Sequence, residues 1–309
     1  MSKPIIVGYD PTTSDRAPVN FAVAAARFTG APLIVASASA AGHRPEAGHQ
    51  DEELVADASD ALDRAREDLE PEGIGVECRE LPNTSAARAL HELSETEDAG
   101  LLVVGSTRRG AIGRVLPGST AERLMHGAPC PIAIVPPGWE AGAGLNTIGV
   151  AYIDSDEGRE ALRGAHALAE RAGASLRVLT AVKAGLAMYG ETEARTAEQR
   201  GRSFDELEGE LRVRAETALQ RATEALDGGV PVEADAFVED PADVLVRVSE
   251  NLDLLVCGSR GYGPLRAVLL GGVSRRVTAE ARCPVIVVPR GVKAALEALM
   301  ETSPGAAAA

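Results

Sequence analysis

Residues Gly105–Pro136 read GSTRRGAIGRVLPGSTAERLMHGAPCPIAIVP, and residues Gly258–Pro289 read GSRGYGPLRAVLLGGVSRRVTAEARCPVIVVP. Gly105 aligns with Gly258, Gly118 with Gly271, Cys130 with Cys283 and Pro136 with Pro289, each pair 153 residues apart. The chain is therefore a tandem repeat of one unit. In each copy a short apolar run, Leu101–Val104 or Leu254–Cys257, delivers a glycine-rich turn. A turn of that kind opening a helix presents unpaired backbone N–H groups and the positive end of the helix dipole to a phosphate.

Working outward, the first copy reads as strands at Pro4–Asp10, Leu33–Ala38, Val76–Leu81, Leu101–Val104 and Ile132–Val135. Helices are expected at Ala17–Thr29 (closed by Gly30), Glu52–Leu69, Ala86–Glu95 and Ser119–His126, with a loop over Ala40–Asp51. The second copy repeats this order. Its strands are Thr147–Tyr152, Ser175–Val182, Val232–Phe237, Leu254–Cys257 and Val285–Val288. Its helices are Glu157–Ala172, a long one within Thr196–Leu226, Ala242–Asn251 and Val273–Ala281. Gly30 and Gly173 align 143 residues apart, so the second copy is longer by ten, mostly within Lys183–Asp205. Strands alternating with helices, and largely apolar throughout, indicate parallel sheets covered on both faces. The expected fold class is thus α/β: two tandem doubly wound, Rossmann-like domains over 1–138 and 146–290. A linker, Pro136–Gly144, joins them. The tail 291–309 starts as a short helix through Met300, with Ser303–Ala309 disordered.

Composition narrows the function. A net charge of −15 disfavours generic binding to nucleic acid or an anionic membrane. Arginines nevertheless gather at the glycine-rich turns: Arg108, Arg109, Arg114 and Arg123 at the first, Arg260, Arg266, Arg275, Arg276 and Arg282 at the second. They suit an anionic ligand or, equally, form solvated helix faces. Cys78, Cys130, Cys257 and Cys283 have no metal or redox spacing and read as buried small hydrophobes. Neither a secretory leader nor a membrane-length apolar run is present, and a reducing cytoplasm is the expected location. The five histidines share no ligand spacing. There is no nucleophile elbow, and none of the three lysines sits at a phosphate loop. An efficient enzyme is not expected.

On these motifs both copies resemble the universal stress protein family, over residues 3–290. The resemblance implies an adenine nucleotide alpha hydrolase-like fold. It also implies binding of ATP, with Mg²⁺, through Gly-x2-Gly-x9-Gly-(Ser/Thr) after the fourth strand and an Asp ending the first. In the first copy Asp10, Gly105, Gly118 and Ser119 match, Thr120 follows, and Arg108 stands where the second glycine belongs. In the second copy Gly258, Gly261 and Gly271 match. Gly272 replaces the hydroxyl residue, Ser274 is the nearest hydroxyl beyond, and Ile153 takes the Asp position with Asp154 one residue later. The first copy keeps the adenosine end and the second the phosphate cradle.

The implied protein is a cytoplasmic stress-response regulator that binds adenine nucleotide and an unidentified protein partner. Its last strands, Ile132–Val135 and Val285–Val288, pair within the chain; a homodimer of chains is left open. A nucleotide-free scaffold with degenerate sites, and a slow ATPase, stand as the alternatives.

Overall fold

The computed structural model describes residues 2–11, 13–39, 62, 66, 74–82, 85–106, 120–125, 127–142, 144–182, 204–259, 272–289, 291 and 295–299. The first copy runs β1 (Ile5–Gly8), α1 (Ala17–Thr29), β2 (Leu33–Ser39), β3 (Val76–Pro82), α2 (Ala86–Thr96), β4 (Leu101–Gly105), α3 (Thr120–Met125) and β5 (Ile132–Val135). The second runs β6 (Thr147–Ala151), α4 (Asp156–Ala172), β7 (Ser175–Ala181), α5 (Phe204–Glu224), β8 (Val232–Phe237), α6 (Pro241–Val248), β9 (Leu254–Gly258), α7 (Gly272–Glu280) and β10 (Val285–Val288). A short α8 (Ala295–Ala298) ends the described chain. The sequence expectations for the loop 40–51, for nearly all of the helix 52–69 and for the tail 303–309 lie outside the described residues.

The ten strands form one sheet in the order β3-β2-β1-β4-β5-β10-β9-β6-β7-β8. Every neighbouring pair is parallel except β5 and β10, which run antiparallel with Ile286 opposite Ala133. Each half is a doubly wound unit, and the two halves are fused edge to edge. The central strands are buried on both faces, so they read as unbroken aliphatic runs: Ile5, Ile6 and Val7 have no exposed surface. The outer strands β3 and β8 carry Glu77, Arg79, Glu80, Glu233 and Asp235, charges that keep open edges from pairing with other chains.

Helices α1, α4 and α5 and the tail pack one face of the sheet; α2, α3, α6 and α7 pack the other. Each face holds a single apolar cluster that draws on both copies. The linker and the tail complete the first face at matching places. Trp139 of the linker meets Phe21 of α1 edge-on, ring centres 5.4 Å apart. The repeat equivalent of Phe21 is Gly164 on α4. Glycine inside a helix costs roughly 1 kcal/mol against alanine, and Leu296 explains it: a Cβ at Gly164 would lie 2.8 Å from Leu296. Leu299 sits likewise on Gly100 of the first copy, at 2.5 Å.

The two first helices end alike and start differently. Gly30 and Gly173 close α1 and α4 in the left-handed conformation, φ 72° and 65°. Pro18 lies in the first turn of α1, where its missing N–H is harmless, and its ring resists any earlier start. Its equivalent in α4 is Ala161, and α4 extends about one further turn back to Asp156. Ser155 caps that turn, its Oγ accepting from Gly158 N at 3.1 Å, above Asp156 and Glu157.

Leu296→Ala removes a buried side chain that nothing else can replace in the Gly164 notch. It should lower stability by about 2–5 kcal/mol, seen as an earlier thermal transition with the fold otherwise unchanged by circular dichroism.

Candidate functional site

In open α/β sheets ligands bind beyond the carboxyl ends of the strands, where the strand order reverses. The reversal points here are β1/β4 and β6/β9, and a cavity lies at each. The first, of about 410 Å³, is lined by Tyr9, Asp10, Thr13, Asp15, Pro18, Gly105, Ser106 and Thr120, among others. The second, of about 160 Å³, is lined by Tyr152, Ile153, Leu179, Leu245, Cys257, Gly258, Gly272, Val273, Ser274 and Val277, among others. Of the expected site residues, Asp10, Gly105 and Thr120 therefore meet in one cavity, and Gly258, Gly272 and Ser274 in the other. Arg108, Gly118, Ser119, Gly261 and Gly271 lie outside the described residues.

The cavities differ because the helices above them start differently. In the first copy residues 10, 11 and 13–16 are not helical, and Asp15 braces them, its Oδ1 accepting from Ala17 N at 3.1 Å and from linker Gly138 N at 3.2 Å. In the second copy the same span is the extra turn of α4, and it descends on β9. A Cβ at Gly258 would lie 2.8 Å from the carbonyl oxygen of Glu157. At Gly158 a Cβ would lie 1.9 Å from the carbonyl oxygen of Ile153. Gly105 is less crowded, its nearest neighbour being Pro18 Cγ at 3.1 Å.

Electrostatics follow the same division. The first cavity has the Asp10 and Asp15 carboxylates on its wall, whereas no charged side chain lines the second among the described residues. Asp154, one residue past the Asp position, is held by Arg159 of α4 at 2.5 Å. Burial, reinforced by Asp154, pushes the Tyr152 phenol up from its usual value. Burial also pushes the Cys257 thiol on the cavity wall up to about 12. It is therefore a neutral apolar wall group, as the sequence suggested, and Cys130 and Cys283 are raised equally.

The first amide after each glycine is already used: Ser106 N donates to Val135 O at 2.8 Å and Ser259 N to Val288 O at 2.9 Å. Ser106 lines the first cavity. Its equivalent Ser259 is buried, and among the described residues its Oγ has no hydrogen-bond partner. Among the described residues no group of His, Cys, Asp or Glu could hold a metal ion, and no helix is long and apolar enough to cross a membrane.

The model of the universal stress protein family matches this chain twice, over residues 1–136 and 144–289. The chain belongs to the universal stress protein family. A universal stress protein of Mycolicibacterium smegmatis is 28% identical over 302 residues, covering 92% of this chain and 96% of its own length. One of Mycobacterium tuberculosis is 28% identical over 224 residues, or 71% of this chain and 74% of its own. The crystal structure of a universal stress protein from Archaeoglobus fulgidus shares the fold, with a TM-score of 0.65 at 19% identity over 93% of this chain and 96% of that one.

In this universal stress protein the sequence motifs located both reversal points but missed what sets their sizes. Pro18 against Ala161, and the Ser-Asp-Glu start at 155–157, were the available signals. Tyr9, Tyr152 and Asp15 also line or brace the cavities without belonging to the motif.

Gly258→Ala drives a methyl group into a backbone carbonyl and should cost about 1–3 kcal/mol. Gly105→Ala should cost clearly less, because a proline ring edge can shift; paired denaturation curves measure the difference. Cys130, Cys257 and Cys283 should resist iodoacetamide at pH 8 in the folded protein and react after unfolding, as mass spectrometry of the alkylated chain would show.

Proposed function

We propose that this member of a stress-response family acts by binding an adenine nucleotide, ATP or a close relative, in its first copy, without efficient turnover. The observation that carries this is the cavity of about 410 Å³ at the β1/β4 reversal point with Asp10 on its wall. Small-molecule sites occupy roughly 300–1,000 Å³; the second cavity, at about 160 Å³ and without a carboxylate, falls short. In this reading Asp10 holds the adenosine end. The segment of Arg108, Gly118 and Ser119 supplies the phosphate contacts, with the Thr120 hydroxyl at the start of α3 beside them. Mg²⁺ enters, if at all, on the phosphates. Bound nucleotide changes the contacts of a protein partner only by binding one conformation better than another. Free cysteines at all four positions fit a reducing, cytoplasmic setting.

A second reading, a nucleotide-free scaffold, is favoured by the small apolar cavity of the second copy. Calorimetric titration with ATP and Mg²⁺ separates the two. Wild type should bind one equivalent, Gly261→Arg should bind the same, and Asp10→Ala should bind at least about tenfold more weakly, the loss of one charged hydrogen-bonding group. No heat from wild type leaves the scaffold. Loss with Gly261→Arg but not with Asp10→Ala moves the site, with Gly258, Gly271, Gly272 and Ser274, to the second copy.

A further inference from the structure

We propose that the seam between the two copies accepts the opposite copy and rejects its own kind, so that the sheet closes within one chain. A residue that touches its own repeat equivalent must lie on the pseudo-twofold axis relating the copies, and two such pairs stand out among the described residues. Ala133 of β5 lies opposite its equivalent Ile286 of β10, both buried on the same face of the sheet. Phe28 of α1 meets its equivalent Arg171 of α4. The guanidinium carbon stands 5.6 Å from the ring centre, and Nε and Nη2 donate to Phe28 O at 3.2 and 3.1 Å. Phe28 lies in the last turn of its helix, where a cation meets the negative end of the dipole.

Both pairs are complementary only when unlike copies meet. Two first copies would oppose Ala133 to Ala133 and leave a gap, with no guanidinium for the carbonyl of Phe28. Two second copies would press Ile286 on Ile286, overfilling a packed seam, and set Arg171 near Arg171. A third contact, away from the axis, discriminates in the same sense. Leu299 of the tail seats on Gly100 of the first copy. The equivalent of Gly100 is Asp253, whose Oδ2 accepts from Asn146 N at 2.7 Å and Thr147 N at 2.9 Å. A second copy facing its own kind would drive Leu299 onto that carboxylate. Two first copies would have no tail to place there. Small against large, ring against cation and leucine against glycine all select the same pairing, by poor fit elsewhere as much as by good fit here.

The direct test uses the full chain with a protease site placed at the exposed linker residues Ala141 and Gly142 and cut after folding. The nicked protein is taken through partial denaturant and back, so that halves can exchange, and weighed by native mass spectrometry. First–second complexes should outnumber like-paired ones by at least about tenfold, against the one-to-one ratio of random pairing. A statistical mixture, or a preference for like pairs, overturns the proposal. A second measurement needs no separated halves. In the uncut chain Ala133→Ile and Ile286→Ala should each lower the melting temperature. The double variant, which restores small against large with the sides exchanged, should lie closer to wild type than the two losses combined. Strictly additive losses, or neutral single variants, overturn it equally.

Discussion

Everything in this molecule depends on the antiparallel meeting of β5 and β10. Each is four residues of buried aliphatic chain, and each would otherwise be the bare apolar edge of a five-stranded sheet. An edge of that kind recruits other strands, so neither half is a comfortable solution by itself. Fusing the edges removes both liabilities at once and leaves only the charged strands β3 and β8 outermost. The antiparallel sense also turns one half upside down relative to the other. The two reversal points therefore open at opposite ends of the sheet, and a ligand in one cannot touch a ligand in the other. Any communication between them must cross the seam.

Duplication within one chain frees the copies from being alike. Two identical subunits must use one surface for both sides of a twofold contact, whereas here each side can change alone. The seam shows this in Ala133 and Ile286, and in Phe28 and Arg171. The cavities show it through a single helix start. Proline at 18 keeps the preceding residues as a loop and leaves space above β1 and β4. Alanine at 161 lets a capped turn form, and the carbonyl of Glu157 then rests on Gly258. So Gly258 has a packing reason to be glycine that is independent of any phosphate.

That distinction marks the limit of what the residues alone could tell. The bounds of α1, β5 and β10 were legible because local signals agreed: Gly30 closing the helix, and short aliphatic runs set off by prolines. The intrachain pairing followed from the family resemblance together with the apolar last strands, whereas the strand order within each doubly wound half came only with the structure. Helix α4 was expected one residue late, at Glu157 instead of Asp156, because the Ser155 cap was not weighed. The described helix of the tail, Ala295–Ala298, ends before the expected Met300, and Leu296 and Leu299 seat the tail on two distant glycines. Contacts between residues 143 apart, such as Phe28 and Arg171, leave no local signature. Cavity volume leaves none either, since it results from competition between a helix cap and a loop.

The anion question turns on the same kind of competition. Ser106 N and Ser259 N, the amides nearest the glycines, are committed to the sheet. In the proposed reading the phosphate donors come from further along, where the copies differ in sequence: arginine at 108 in one, glycine at 261 in the other. Glycine offers close backbone approach, while arginine offers a full charge and a forked donor set. In a chain of net charge −15 the anion of that reading is drawn in against the general field. A guanidinium does that work at longer range than an amide, at the expense of room. The first copy has that room, because Pro18 keeps its entrance unwound. The second has filled much of it with helix, and among the described residues its smaller cavity of about 160 Å³ carries no charged side chain to hold a polyphosphate.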